Sequence, residues 1–69
     1  MKVSARNQLK GKVSRIKRGA VSAQVIVDIG GGNTITSTVT LDAVDDLGLK
    51  EGSDAWIFIK ASEVILAVD

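Results

Sequence analysis

Along "VSAQVIVDI" (21–29) every second position is apolar, with such side chains at 21, 23, 25, 27 and 29. That period of two marks a half-buried strand. "GGGN" (30–33) follows and reads as a hairpin loop, because Gly and Asn tolerate positive φ. "TITSTVTL" (34–41) is rich in β-branched residues and forms the partner strand. "DAVDDLGL" (42–49) offers an Asp cap, apolar residues at helical spacing and Gly48 as a stop, which predicts one or two turns of helix. "KEGSD" (50–54) is a second loop. "AWIFIK" (55–60) and "EVILAV" (63–68) are two more strands, and "VSARNQLKGKVSRIKRG" (3–19) is a long first strand, kinked or bulged near Gly11.

The predicted order is strand, strand, strand, short helix, strand, strand. This places the chain in the all-β class, as a five-stranded OB-type Greek-key barrel with one short helix between strands 3 and 4. Residues 1–69 form a single domain, with no repeat, linker or low-complexity segment. In "AWIFI" and "VILAV" both strand faces are apolar. An isolated barrel needs only one apolar face, so the outer face is expected to be covered by another subunit, with Trp56 and Phe58 at that interface.

Length sharpens this expectation. A chain of 69 residues is near the lower limit for folding on its own core. It has no Cys for disulfides and neither Cys nor His for a structural zinc, which leaves association as the staple. No apolar run approaches the roughly 20 residues of a membrane helix, and no signal-peptide core is present. A soluble, cytoplasmic homo-oligomer without membrane contact is expected.

Net charge is only +1, but it is unevenly distributed. Residues 2–19 hold seven of the nine Lys and Arg, whereas all eight Asp and Glu lie from Asp28 onward. A basic arm suggests nucleic acid. An OB barrel that binds single strands also needs aromatic platforms for base stacking, and the basic segment contains none. In an uninterrupted strand Arg6, Lys10 and Lys12 face one way and Arg15 and Lys17 the other, which scatters the charge. An OB-type single-stranded nucleic-acid module is therefore the alternative reading, and nucleic acid is not the expected partner.

Other chemistry is poorly supplied. "GGGN" precedes a strand, whereas a phosphate-cradling loop precedes a helix. Asp42, Asp45, Asp46, Glu51 and Asp54 lack the ligand spacing of a calcium loop. With no His, Cys or Tyr and no nucleophile-elbow serine, no enzyme is expected. What remains is a set of donors. Ser4, Arg6 and Asn7 offer hydroxyl, guanidinium and amide groups, and "IKAS" puts Lys60 and Ser62 at the turn between the last two strands. Together they suit an oxyanion. The plainer reading, in which Ser4 and Asn7 satisfy turns while Arg6 and Lys60 are solvated, stands beside it.

"SARNQLKGKV" (4–13), the Thr-rich strand, "LGLKEG" (47–52) and "IKASEVIL" (59–66) resemble the molbindins, the Mop-type molybdate-binding domains, over essentially the whole chain. The resemblance implies a five-stranded OB-type barrel assembled as a homohexamer, a trimer of dimers, with molybdate or tungstate bound at subunit interfaces. It implies oxyanion contacts from Ser4, Arg6 and Asn7 and from Lys60, Ala61 and Ser62, with Thr40 as a weaker carry-over. Gly19 and Ala20, in "RGAVS", are expected to add backbone contacts. Neither a cation nor an organic cofactor is implied. One copy of the domain, without a DNA-binding or ATPase module, implies intracellular storage or homeostasis of molybdenum. The remaining lysines and arginines would offset the charge of several bound dianions. A purely structural assembly module with a vestigial anion site is the third possibility.

Overall fold

The computed structural model describes all 69 residues. Four antiparallel strands, β1 (Asn7–Arg18), β2 (Ser22–Gly30), β3 (Asn33–Thr40) and β4 (Asp54–Ile59), form one curled sheet in the order β3-β2-β1-β4. The helix α1 (Leu41–Leu47) lies between β3 and β4, and a single 3₁₀ turn (Ala61–Glu63) follows β4. Three of the four strands begin and end within two residues of the expected bounds. Directly opposed residues share a face. Val13 pairs with Val27, Ile16 with Val25 and Ala23 with Val39, so Val13, Ala23, Val25 and Val27 line the concave side. Val44 of α1 is fully buried against them and plugs the sheet.

The β2–β3 hairpin turns through Gly30, Gly31 and Gly32, all at positive φ, where a side chain would be strained. Asp28 anchors it by accepting the Gly30 amide at 2.8 Å. The helix is capped by Thr40, whose hydroxyl accepts the Ala43 amide at 3.0 Å. The expected Asp cap is thus corrected: Asp42 sits in the first turn, where its charge suits the helix dipole.

Two further expectations change. The irregularity in β1 is not at Gly11 but between Val13 and Arg15, where Ser14 is the extra residue and its hydroxyl donates to the Ile26 carbonyl at 3.1 Å. The bulge reverses the alternation after Val13. Lys10 (opposite Trp56), Lys12 (opposite Asp54 and Asp28), Arg15 (opposite Ile26) and Lys17 (opposite Gln24) therefore share the convex face. The charge is not scattered.

The second change concerns the fifth strand. Residues 63–68 join no ladder, so the sheet has four strands and the barrel is open between β3 and β4. Ile65, Leu66 and Val68 are 93%, 89% and 97% exposed. No other strand of the chain reaches them, which is why an apolar, β-prone segment stays unpaired.

Candidate functional site

Two groups of candidate residues emerge, at opposite ends of β1. At its N-terminal end Asn7 pairs with Ile59, so Arg6 and Lys60 are the next residues beyond the last rung. The Asn7 side-chain amide donates to the Ile59 carbonyl at 3.1 Å, tying "SARN" to "KAS" across 52 residues of sequence. Gln8, which the sequence pattern does not single out, donates from Nε2 to the Ala5 carbonyl at 3.0 Å and pins the short loop carrying Ser4 and Arg6. The signal was its place beside Asn7, but a glutamine there looks like ordinary surface until its partner is known.

Across the rung, Lys60 leads into the 3₁₀ turn. Glu63 donates its amide to the Lys60 carbonyl at 2.9 Å and Val64 to the Ala61 carbonyl at 3.3 Å. The first amides of such a turn, those of Ala61 and Ser62, have no acceptor within it and are available to an external one. Ser4, Arg6, Asn7, Lys60, Ala61 and Ser62 are all exposed, and neither Arg6 nor Lys60 is in an ion pair. The structure thus brings Ser4, Arg6, Asn7, Lys60, Ala61 and Ser62 to one end of the sheet.

Gly19, Ala20 and Thr40 are at the other end. The Gly19 amide donates to the Ser22 carbonyl at 2.8 Å, closing the β1–β2 turn, and Ser22 pairs with Thr40. Nearby, Arg18 bridges to Asp45 of α1 at 3.1 Å. The 12-residue β1 separates the two groups by about 36 Å of contour at ~3.3 Å per residue. Within one chain they cannot meet on one ion. No group of three or more His, Cys, Asp or Glu side chains is arranged to hold a metal ion. The one displaced titration lies outside both groups: the hydrogen bond and charge of Lys12, with the charge of Lys10, lower the Asp54 carboxyl below its usual range.

Residues 3–66 match the TOBE domain model. The chain belongs to the TOBE domain family. It is 55% identical over 69 residues to a probable molybdenum-pterin-binding protein of Haemophilus influenzae, covering 100% of both chains. Among solved structures it superposes on MopII from Clostridium pasteurianum with a TM-score of 0.90, at 48% identity, covering 97% of this chain and 100% of that one. It matches the cytoplasmic molybdate-binding protein ModG, in a form with molybdate bound, with a TM-score of 0.95 and 52% identity; all of this chain is covered and 49% of that one. The resemblance to the Mop-type proteins therefore holds over the full chain. No helix is long and apolar enough to cross a membrane.

Proposed function

We propose that this protein binds molybdate or tungstate at the interfaces of a homo-oligomer and holds the oxyanion in the cytoplasm for later use. The observation that carries the reading is the Asn7 amide bonded to the Ile59 carbonyl, which gathers two donor motifs at one end of the sheet. Molybdate at neutral pH is a dianion with no proton to give. Arg6, Lys60, the hydroxyls of Ser4 and Ser62 and the amides of Ala61 and Ser62 can only improve its hydrogen bonding. The Asn7 contact also engages the Ile59 carbonyl, an acceptor that monohydrogen phosphate would want for its own proton. Sulfate carries the same charge as molybdate, so its rejection depends on size and on the rigidity that Gln8 and Asn7 lend to the loop. Each charged hydrogen bond contributes roughly 1.5–3 kcal/mol, so a handful reaches micromolar affinity, about 8 kcal/mol.

Exposure supports the interfacial part of the proposal. Every candidate residue faces water in the single chain, and water competes with an exposed donor set. A second copy would enclose it. Only five of the 69 residues are buried, a small core for independent stability. The open edge between β3 and β4 forms an apolar groove whose lining includes Val25, Val27, Val39, Leu49, Ala55 and Ile57, with Trp56 and Phe58 of β4 also in its wall. In this proposal the C-terminal segment of a second copy enters that groove as the fifth strand, completing the OB-type barrel. The pairs then assemble three-fold into a hexamer. Gly19, Ala20 and Thr40 form a second class of oxyanion contact at the opposite end of the sheet.

Titration calorimetry with molybdate, tungstate, sulfate and phosphate tests the reading. Saturable heat with the first two and none with phosphate is expected. Absence of molybdate heat, or equal binding of sulfate, would sink it.

A further inference from the structure

The Ser14 bulge leaves four cations in one evenly spaced row on the convex side of β1. Lys12, Arg15 and Lys17 stand opposite Asp28, Ile26 and Gln24, alternate residues of β2, and Lys10 stands two residues before Lys12. Neighbouring cations are therefore about 7 Å apart at ~3.3 Å per residue, and the row is about 20 Å long. That spacing is within the screening length of about 8 Å at physiological ionic strength. All four are exposed, and neither Arg15 nor Lys17 is in an ion pair. The carboxylates opposed to the row are engaged, Asp54 by Lys12 at 2.9 Å and Asp28 by the Gly30 amide at 2.8 Å. Four cations against these two carboxylates leave an excess of two positive charges.

The row runs along the strand that begins at the donor motifs. Past Lys10 lie Arg6 and Lys60, and residues 1–9 and 59–64 together hold Lys2, Arg6 and Lys60 against Glu63 alone. At the other end are the unpaired carboxylates Asp42 and Asp46 of α1, with Arg18 taken up by Asp45. The potential thus rises along β1 from α1 towards the donor motifs. Arg15 and Lys17 lie beyond the last β1–β4 rung, Lys12 with Asp54, and neither lines the β3–β4 groove. An exchanged strand seated in that groove does not cover them. With Trp56 and Phe58 in the groove wall, the row has no ring platform for bases. A small mobile anion is what its charges alone can serve.

We propose that this row is a capture surface for the oxyanion. Resting on the binding reading above, it draws molybdate from solution and guides it along β1 to the Arg6–Lys60 end. Arg15 and Lys17 then set the association rate without touching the bound ion. Fields of this kind raise on-rates by about ten- to a thousandfold and fade with salt, whereas escape of the bound ion is governed by its direct contacts.

The assembled protein is mixed rapidly with radiolabelled molybdate at about 0.01 M and about 1 M salt, and bound label is counted against time. A chase with unlabelled molybdate gives the dissociation rate. Wild-type association should slow at high salt. Arg15→Glu/Lys17→Glu should slow it by about fivefold or more at low salt and by less than about twofold at high salt, with dissociation unchanged. The neutral pair Arg15→Gln/Lys17→Gln should show about half of that effect on a logarithmic scale. An unmoved association rate overturns the proposal. So does slowing that persists at high salt, or a changed dissociation rate, since either makes the two residues contacts of the bound ion. Loss of the wild-type native mass in both variants also overturns it, by making them a contact between copies. A wild-type protein that retains no label at equilibrium sinks both readings, whereas bound label with an unmoved rate sinks the capture surface alone.

Discussion

At Gly11 a Cβ would collide with the Asp28 carbonyl oxygen and lie 2.8 Å from Val27 Cγ1, so β1 and β2 approach as closely as they do only because the side chain is missing. The obstacle is largely backbone and cannot rotate away. Gly11→Ala should destabilise the fold by about 1–3 kcal/mol, the usual range for overpacking, read as a lower urea midpoint. Arg6 has no such structural partner. Arg6→Ala should leave stability within about 0.5 kcal/mol and weaken molybdate binding at least tenfold, about 1.4 kcal/mol. Unchanged affinity would make Arg6 a solvated charge.

Asp54 tests the convex face at the same scale. Its carboxyl titrates below the usual range because Lys12 donates to it and both Lys12 and Lys10 lie close by. A folded pKa below the unfolded one gives stabilisation that is present above the unfolded value. It is lost as pH falls through the folded value. Both partners are exposed, so the pair adds little to stability. The clear readout is the carboxyl itself. Lys12→Ala should raise the NMR titration midpoint of Asp54 towards the ordinary aspartate value, and an unmoved midpoint would show that the contact is not held in solution.

Among the elements, α1 joins fold and proposed site most directly. Thr40 accepts the Ala43 amide with an oxygen lone pair, which leaves its own proton free to donate to an oxyanion. Thr40→Ala should cost about 1 kcal/mol through the lost cap and also weaken oxyanion binding. Thr40→Ser should restore both, since serine caps as well and keeps the donor. An effect on thermal stability without one on calorimetric affinity would confine Thr40 to the cap.

The same element shows what can be read from sequence. Alternation placed β2 because it buries one face, β-branched composition placed β3, and Gly48 marked the helix end. The cap was misassigned to Asp42 because Thr40 belongs to a strand until the helix begins beside it. The bulge at Ser14 was misplaced to Gly11 because a bulge is a property of a pair of strands. The two-face reading of the basic residues takes β1 as uninterrupted, and the Ser14 bulge brings them onto one face. The donor motifs were legible as a resemblance, but the bond between Asn7 and Ile59 depends on a β1–β4 register that local pattern does not set.

At the scale of the molecule, the fifth strand is the deciding element. "EVILAV" has the composition of a buried strand, yet Ile65, Leu66 and Val68 are almost wholly exposed while a groove of complementary chemistry stands open between β3 and β4. The 3₁₀ turn at Ala61–Glu63 directs the chain out of β4 without folding it back into that groove. Burying each of these side chains contributes roughly 1.5–3 kcal/mol, enough for exchange between two copies to offset much of the cost of association. Because "KAS" immediately precedes the segment, seating the strand in a neighbour would also fix the donor turn. Assembly and oxyanion would then stabilise one another by linkage. Leu66→Asp should therefore shift native mass from hexamer towards monomer and lower the melting temperature. It should also weaken molybdate binding although Leu66 is outside the donor set. Addition of excess molybdate should partly restore the assembly. A hexamer of unchanged mass and affinity would refute strand exchange, and a wild-type chain that runs as a monomer would refute the assembly itself.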